Sequence, residues 1–207
     1  MDVREVFRFL KEDIHSTVFA TTDAQGLPYV SVIDIMLYDD DALYFLTTTG
    51  KDFYNNIVER PFVAVSGMKG EDTLSTIAIS LRGKLRNIGP SLIPKIFAEN
   101  PYMDKIYPTK ESCTTLTVFQ IYEGDGEIYD LRQMPPRHEV FAFGGGKTSE
   151  AGYRITERCT NCRECLPACP SNCITEGIAH FEIAPEYCLH CGICAEICRF
   201  EAVERRY

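Results

Sequence analysis

CTNCRECLPACP, residues 159–170, and CLHCGICAEICR, residues 188–199, are two copies of one spacing, Cys-x-x-Cys-x-x-Cys-x-x-x-Cys. Each of Cys188, Cys191, Cys194 and Cys198 stands 29 positions after its counterpart among Cys159, Cys162, Cys165 and Cys169. Three thiolates at successive intervals of three wrap a short loop around one iron–sulfur cubane, and a fourth must come from elsewhere. Zinc sites usually separate two Cys-x-x-Cys pairs by a longer loop, so the doubled triplet favours iron–sulfur clusters over zinc. Thiols at this density, with no signal-peptide pattern ahead of them, also argue against a disulfide framework. The expectation is an electron-transfer chain in a reducing, cytoplasmic compartment.

The segment resembles the two-cluster bacterial ferredoxins, in which the fourth cysteine of each copy ligates the other cluster. That resemblance implies two [4Fe–4S] clusters. One would be held by Cys159, Cys162, Cys165 and Cys198, the other by Cys188, Cys191, Cys194 and Cys169. In the 29-residue alignment Cys173 falls opposite Ala202, which predicts a small packed side chain and not a ligand. Pro170 is replaced by Arg199 in the second copy, and His190 lies inside it as a neighbour of the cluster.

Working outward, the rest of the chain must supply the main core. With 207 residues and 45% hydrophobic content, one ordinary core and a small appendage are affordable. The net charge of −9 makes nucleic acid a poor partner. No apolar run approaches the roughly 20 residues of a spanning helix, so membrane insertion is not expected.

Apolar Val3, Val6, Phe7, Leu10 and Ile14 predict an opening helix. Strand patterns follow at 17–22, 29–37, 42–47, 62–67, 75–86, 114–122 and 127–131, the last two read as parted by a turn at Gly124-Asp125-Gly126. Short helices are expected at 50–60 and 91–99. Frequent turns and few helices argue for a β-barrel over 1–131. Pro135, Pro136 and Gly144-Gly145-Gly146 mark 132–152 as a linker to the cluster domain at 153–207. Gly146-Lys147-Thr148 ends like a phosphate-binding P-loop, but Phe141 stands where the first glycine is required. Cys113 reads as a buried strand residue.

The first 130 residues resemble the pyridoxamine 5′-phosphate oxidase-like split-barrel flavoproteins. The resemblance rests on the opening helix, Gly26-x-Pro28 entering a strand, Leu43–Thr47 followed by Gly50-Lys51 and a short helix, and Ile79-x-Leu81-x-Gly83. It implies a mainly β fold with some α, a split barrel of FMN-binding type, followed by the small α+β ferredoxin-like domain. It also implies FMN at a homodimer interface, although some members of the family bind a deazaflavin or haem instead. Independently, Thr47, Thr48, Thr49 and Lys51 place hydroxyls and an ammonium ahead of a helix start, where an anion is favoured. A capped helix with a solvated lysine fits those residues equally well, and the resemblance tips the reading to phosphate. Ser31, Val32, Ile33 and Asp34 match the family strand along the flavin. Barrel wall is the other reading of those four; Asn55, Arg82 and Lys84 are further candidates for the cofactor, with a surface amide and a solvent-facing pair of cations as their other readings.

FMN exchanges electrons in pairs or singly, and each cubane passes one at a time. The expected function is a flavin-dependent oxidoreductase of ferredoxin-linked type, acting on a small-molecule substrate with a redox partner protein such as a ferredoxin. A non-enzymatic electron-carrier subunit, with the barrel for dimerisation and docking, is the alternative. No nicotinamide fingerprint is present. Catalytic acid–base residues are not identifiable; Arg137, His138 and Glu139 sit in the linker, where they could meet a flavin, but a lone linker histidine is more often solvated than catalytic.

Overall fold

The computed structural model describes residues 1–148 and 152–206, which fall into two compact units. The first holds Met1–Lys69, Ala78–Glu127 and Phe141–Thr148. The second holds Gly70–Ile77, Ile128–Val140 and the described residues after 148.

In the first unit, α1 (Val3–Arg8) opens on a capping box, because the Asp2 carboxylate accepts from the Glu5 N–H at 2.8 Å and that of Glu5 from the Asp2 N–H at 2.9 Å. Two donors that a helix start leaves open are thereby satisfied. The helix continues as a π-helical turn, Phe9–Ile14, and buries Val6, Phe7 and Leu10 as its period dictates.

β1 (Ser16–Thr22), β2 (Pro28–Asp34), β3 (Leu37–Tyr38), β4 (Leu43–Thr48), β5 (Phe62–Lys69), β6 (Ile77–Gly89) and β7 (Leu116–Asp130) form one sheet in the order β2-β1-β5-β6-β7-β4-β3. β8 (Arg137–Phe143) pairs with β7. β2, at one edge, also lies against β4, so the sheet is curled into a barrel. α2 (Asp52–Glu59) adds Phe53 to an aromatic core, where the rings of Phe19, Phe45, Phe53 and Phe119 meet at centroid distances of 4.8 to 6.0 Å. Tyr44, Leu46 and Val118 pack a second cluster with Ile96 of α3 (Ile93–Glu99) and Met103 of α4 (Met103–Ile106). β4 is therefore buried on both faces, which explains its unbroken apolar run.

Four expectations change. The strand expected over 29–37 breaks after Asp34, because the Ile35 N–H donates to His15 O and the Met36 N–H to Tyr44 O, moving the chain across to β4. Gly124-Asp125-Gly126 is no turn but the middle of β7. A Cβ on Gly124 would stand 2.1 Å from Arg82 O and one on Gly126 2.5 Å from Ser80 O, so these glycines permit close approach to β6. The expected linker 132–152 contains β8, and Gly144 and Gly145, at φ +60° and +90°, turn the chain after it; residues 149–151 of that linker lie outside the described residues. Cys113 lies half-buried in the turn before β7, outside any strand.

In the second unit, β9 (Gly152–Ile155) pairs with β12 (Val203–Arg206), and β10 (Ile174–Glu176) with β11 (Phe181–Ile183), both antiparallel. α5 (Ile193–Glu196) lies within the second cysteine copy and carries Cys194. β11 starts 29 residues after β9 and β12 starts 29 after β10, so the sequence repeat is a structural repeat. Ile155, Ile174 and Phe181 form a small core with Cys173, Cys188 and Cys194.

Candidate functional site

The two sheets of the second unit carry two thiol-lined cavities. Cys159, Cys162, Cys165 and Cys198 line the first, together with Ile155, Phe181 and Val203. Cys169, Cys188, Cys191 and Cys194 line the second. Each cavity thus gathers three cysteines of one copy and the last cysteine of the other. Four soft sulfur donors around an apolar-walled space are the donor set of a cubane, and the residues present fit that group.

Backbone geometry explains how short loops reach around such a space. Asn161 and His190, Arg163 and Gly192, and Asn172 and Glu201 all have positive φ, between 49° and 79°, and each pair is separated by the 29-residue period. Five of these six residues are not glycine, and a left-handed backbone there is uncommon without a constraint. It turns loop amides toward the thiols: the Ala202 N–H donates to Cys198 Sγ at 3.3 Å, and the His190 N–H helps hold the Cys188 thiol down. The larger cause at Cys188 is a hydrogen bond from Cys173, and together they lower it to about 6. Burial instead pushes Cys194 up to about 11 and raises Cys165.

Cys173 is buried, as the repeat alignment predicts, yet its Sγ lies 3.4 Å from Cys169 Sγ and it lines the second cavity. It is a fifth thiol against that site. His138, read from sequence as a solvated linker residue, is buried: it stacks on Tyr129 at 4.4 Å and meets His190 edge-on at 5.2 Å. Arg137 pairs with Glu139 at 3.1 Å. Arg199 pairs with Glu164 at 3.3 Å, which accounts for a cation where the first copy has Pro170.

In the barrel unit the predicted phosphate residues are adjacent. Thr47 and Thr48 end β4, Thr49 and Lys51 are exposed, and Lys51 is the N-cap of α2 with no side-chain hydrogen bond to the first-turn amides. Those amides and the Lys51 ammonium remain available to an anion. Thr47 Oγ1 is buried with no hydrogen-bond partner in the structure. An uncapped helix start, exposed hydroxyls and an orphaned oxygen fit a phosphate-bearing cofactor. Asn55 is exposed on α2.

On β2, Ile33 is buried, Ser31 half-buried and Val32 exposed. Asp34 is occupied: it accepts from Ser16 Oγ at 2.6 Å and from Tyr102 OH at 3.1 Å, and Tyr102 OH also meets His15 Nε2 at 2.7 Å. Burial and the Asp34 charge raise the Tyr102 hydroxyl well above its usual range. The structure does not leave Arg82 and Lys84 as free cations; they pair with Asp125 at 3.1 Å and Glu123 at 2.7 Å across β7. The sequence offered no sign of the His15–Asp34–Tyr102 cluster, because its members lie 19 and 68 residues apart and meet only in the fold.

Residues 3–121, more than half the chain, match the family model for pyridoxamine 5′-phosphate oxidase. The chain belongs to this family. Its C-terminal part matches the 4Fe-4S binding domain over residues 153–175. This oxidase-family chain is there 38% identical over 53 residues to the ferredoxin 7Fe of Hydrogenibacillus schlegelii, covering 25% of the chain and 68% of that ferredoxin. It spans about half the length of other matching ferredoxins. Among solved structures, the barrel resembles a NimC/NimA family protein of Clostridium acetobutylicum, with a TM-score of 0.55, 20% identity, and coverage of 68% of this chain and 92% of that one. It also resembles a pyridoxinephosphate oxidase family protein of the same organism, with a TM-score of 0.53, 12% identity, and coverage of 68% and 96%. These likenesses establish a split barrel of the FMN-binding type joined to a ferredoxin-type iron–sulfur domain. No helix among the described residues is long and apolar enough to cross a membrane.

Proposed function

We propose that this protein is an FMN- and iron–sulfur-dependent oxidoreductase of the cytoplasm, coupling one-electron transfer to two-electron conversion of a small substrate. FMN would supply exchange between paired and single electrons, and two [4Fe–4S] clusters the one-electron side. What carries the reading is the partition of all eight cassette cysteines, four to each of two cavities, in one chain with a flavin-type barrel.

Cys159, Cys162, Cys165 and Cys198 hold one cluster, and Cys169, Cys188, Cys191 and Cys194 the other. Thr48, Thr49 and Lys51, with the first-turn amides of α2, hold the phosphate, and Thr47 and Asn55 lie beside them in the chain. Ser31, Val32, Ile33 and Asp34 border the ring and ribityl chain, with Asp34 held by Ser16 and Tyr102. A second copy of the chain completes the site. The outer face of β1 and β2 presents Val18, Val30 and Val32 at 44%, 60% and 70% exposure, with Val18 paired to Val32, and an apolar face of this kind supports a homodimer contact.

Chemical analysis of anaerobically purified protein tests this. The expectation is about eight irons and eight acid-labile sulfides per chain, with about one FMN released by acid. Zinc in place of iron, or a barrel that neither retains nor rebinds FMN, overturns it.

A further inference from the structure

An open groove of about 800 Å³ on the second unit is lined by Arg154, Arg158, Arg206 and His180, with Ile155, Thr156 and Glu157. Three arginines converge here in a chain whose net charge is −9. Arg154 and Arg158 share a single carboxylate: Glu204 Oε2 takes Arg154 at 2.9 Å and Glu204 Oε1 takes Arg158 at 2.8 Å. With Arg206 and the Glu157 carboxylate of the groove counted, three cations face two anions, and one positive charge is in excess. Strand pairing fixes the arrangement, since Arg154 stands opposite Glu204 and Gly152 opposite Arg206 in the β9–β12 ladder.

The groove adjoins the first thiol cavity, because Ile155 lines both. The same cavity wall includes Phe200, which is 45% exposed. The groove supplies arginines and the adjoining cavity wall an exposed aromatic, both residue types that are enriched at protein-docking surfaces. We propose that this groove is the docking surface for an acidic one-electron carrier protein of ferredoxin type, bound beside the cavity of Cys159, Cys162, Cys165 and Cys198.

The choice of an acidic protein follows from charge. A carrier approaching a chain of net −9 is repelled over most of the surface and attracted only where the sign is locally reversed. At physiological ionic strength screening acts over about 8 Å, so the local arginines dominate once the partner is close. Docking there selects one orientation, with the carrier next to one cavity and not the other. One electron crosses, the carrier is oxidised by one and this chain reduced by one, and no bond is made or broken. The inference deepens the proposed function and rests on it for the content of the cavity.

The test uses the intact iron-loaded protein, titrated calorimetrically with a strongly acidic two-cluster bacterial ferredoxin at low and at high salt. The double substitution R154Q/R158Q is expected to raise Kd about tenfold at low salt and to flatten the salt dependence. E204Q, which removes the shared carboxylate and keeps both arginines, is expected to lower Kd. Iron content measured on every sample separates the two ideas: protein without iron rejects the proposed function, whereas iron-loaded variants that bind like the parent reject the groove. Should R154Q/R158Q fail to fold, an unchanged Kd in E204Q is by itself decisive against the groove.

Discussion

Asp130 shows how one side chain organises a turn. Its carboxylate accepts from the Arg132 N–H at 3.1 Å, from Arg132 Nε and Nη2 at 2.9 Å each, and from Gln133 Nε2 at 3.0 Å. The Arg132 hydrogen bonds hold its pKa down at about 2, against an ordinary 3.8. A carboxylate lowered on folding stabilises above its unfolded value and loses that contribution as pH falls through the folded one. The half-exposed Arg132 limits the gain by solvent screening, to about 1 kcal/mol. D130N is therefore expected to unfold at lower denaturant than the parent at pH 7, with the gap closing between about pH 4 and pH 2. A gap that persists unchanged at pH 2 would assign the effect to packing.

At the scale of elements, glycine spacing and cysteine spacing make different demands. Gly124 sits within β7 with Arg82 O where its Cβ would be, so G124A must push β6 and β7 apart. A loss of about 2 kcal/mol or more in chemical unfolding is expected, and a neutral result would show that the strands yield freely. The interlocked cavities make a sharper demand. C198S removes a thiol encoded in the second copy, yet the cluster lost or altered should be the one of Cys159, Cys162 and Cys165. C169S should alter that of Cys188, Cys191 and Cys194. Electron paramagnetic resonance of the reduced variants reads which signal survives; loss of the same-copy signal in each would contradict the crossing.

These elements also show what a sequence can carry. The triplet spacing of the cysteines, the heptad-like start of α1 and the alternation in β1 and β5 are local patterns, and each is legible because its partners lie within a few residues. Gly124 and Gly126 read as a turn in sequence because the residues that require them, Arg82 and Ser80, are about forty positions away. His138 reads as solvated because the rings of Tyr129 and His190 that cover it are not its neighbours in sequence. The pairing of Arg82 with Asp125 and of Lys84 with Glu123 is likewise visible only once β6 and β7 lie side by side. Lys51 stands between these cases: the helix start was legible, and the absence of a side-chain cap there is visible only in three dimensions.

For the whole molecule, the proposed function joins the barrel and the paired cysteine cavities because FMN and cubanes differ in how many electrons they exchange. The family match supplies the flavin-type barrel, and the repeated backbone of the second unit supplies two equivalent sites, down to matched left-handed residues 29 positions apart. Stepwise anaerobic reduction of the purified protein, followed by visible absorbance, counts these carriers directly. The account predicts about four electrons per chain: two into flavin and one into each of two clusters, bleaching both absorbance bands. An end point at about two electrons, with flavin or clusters alone bleaching, would contradict it.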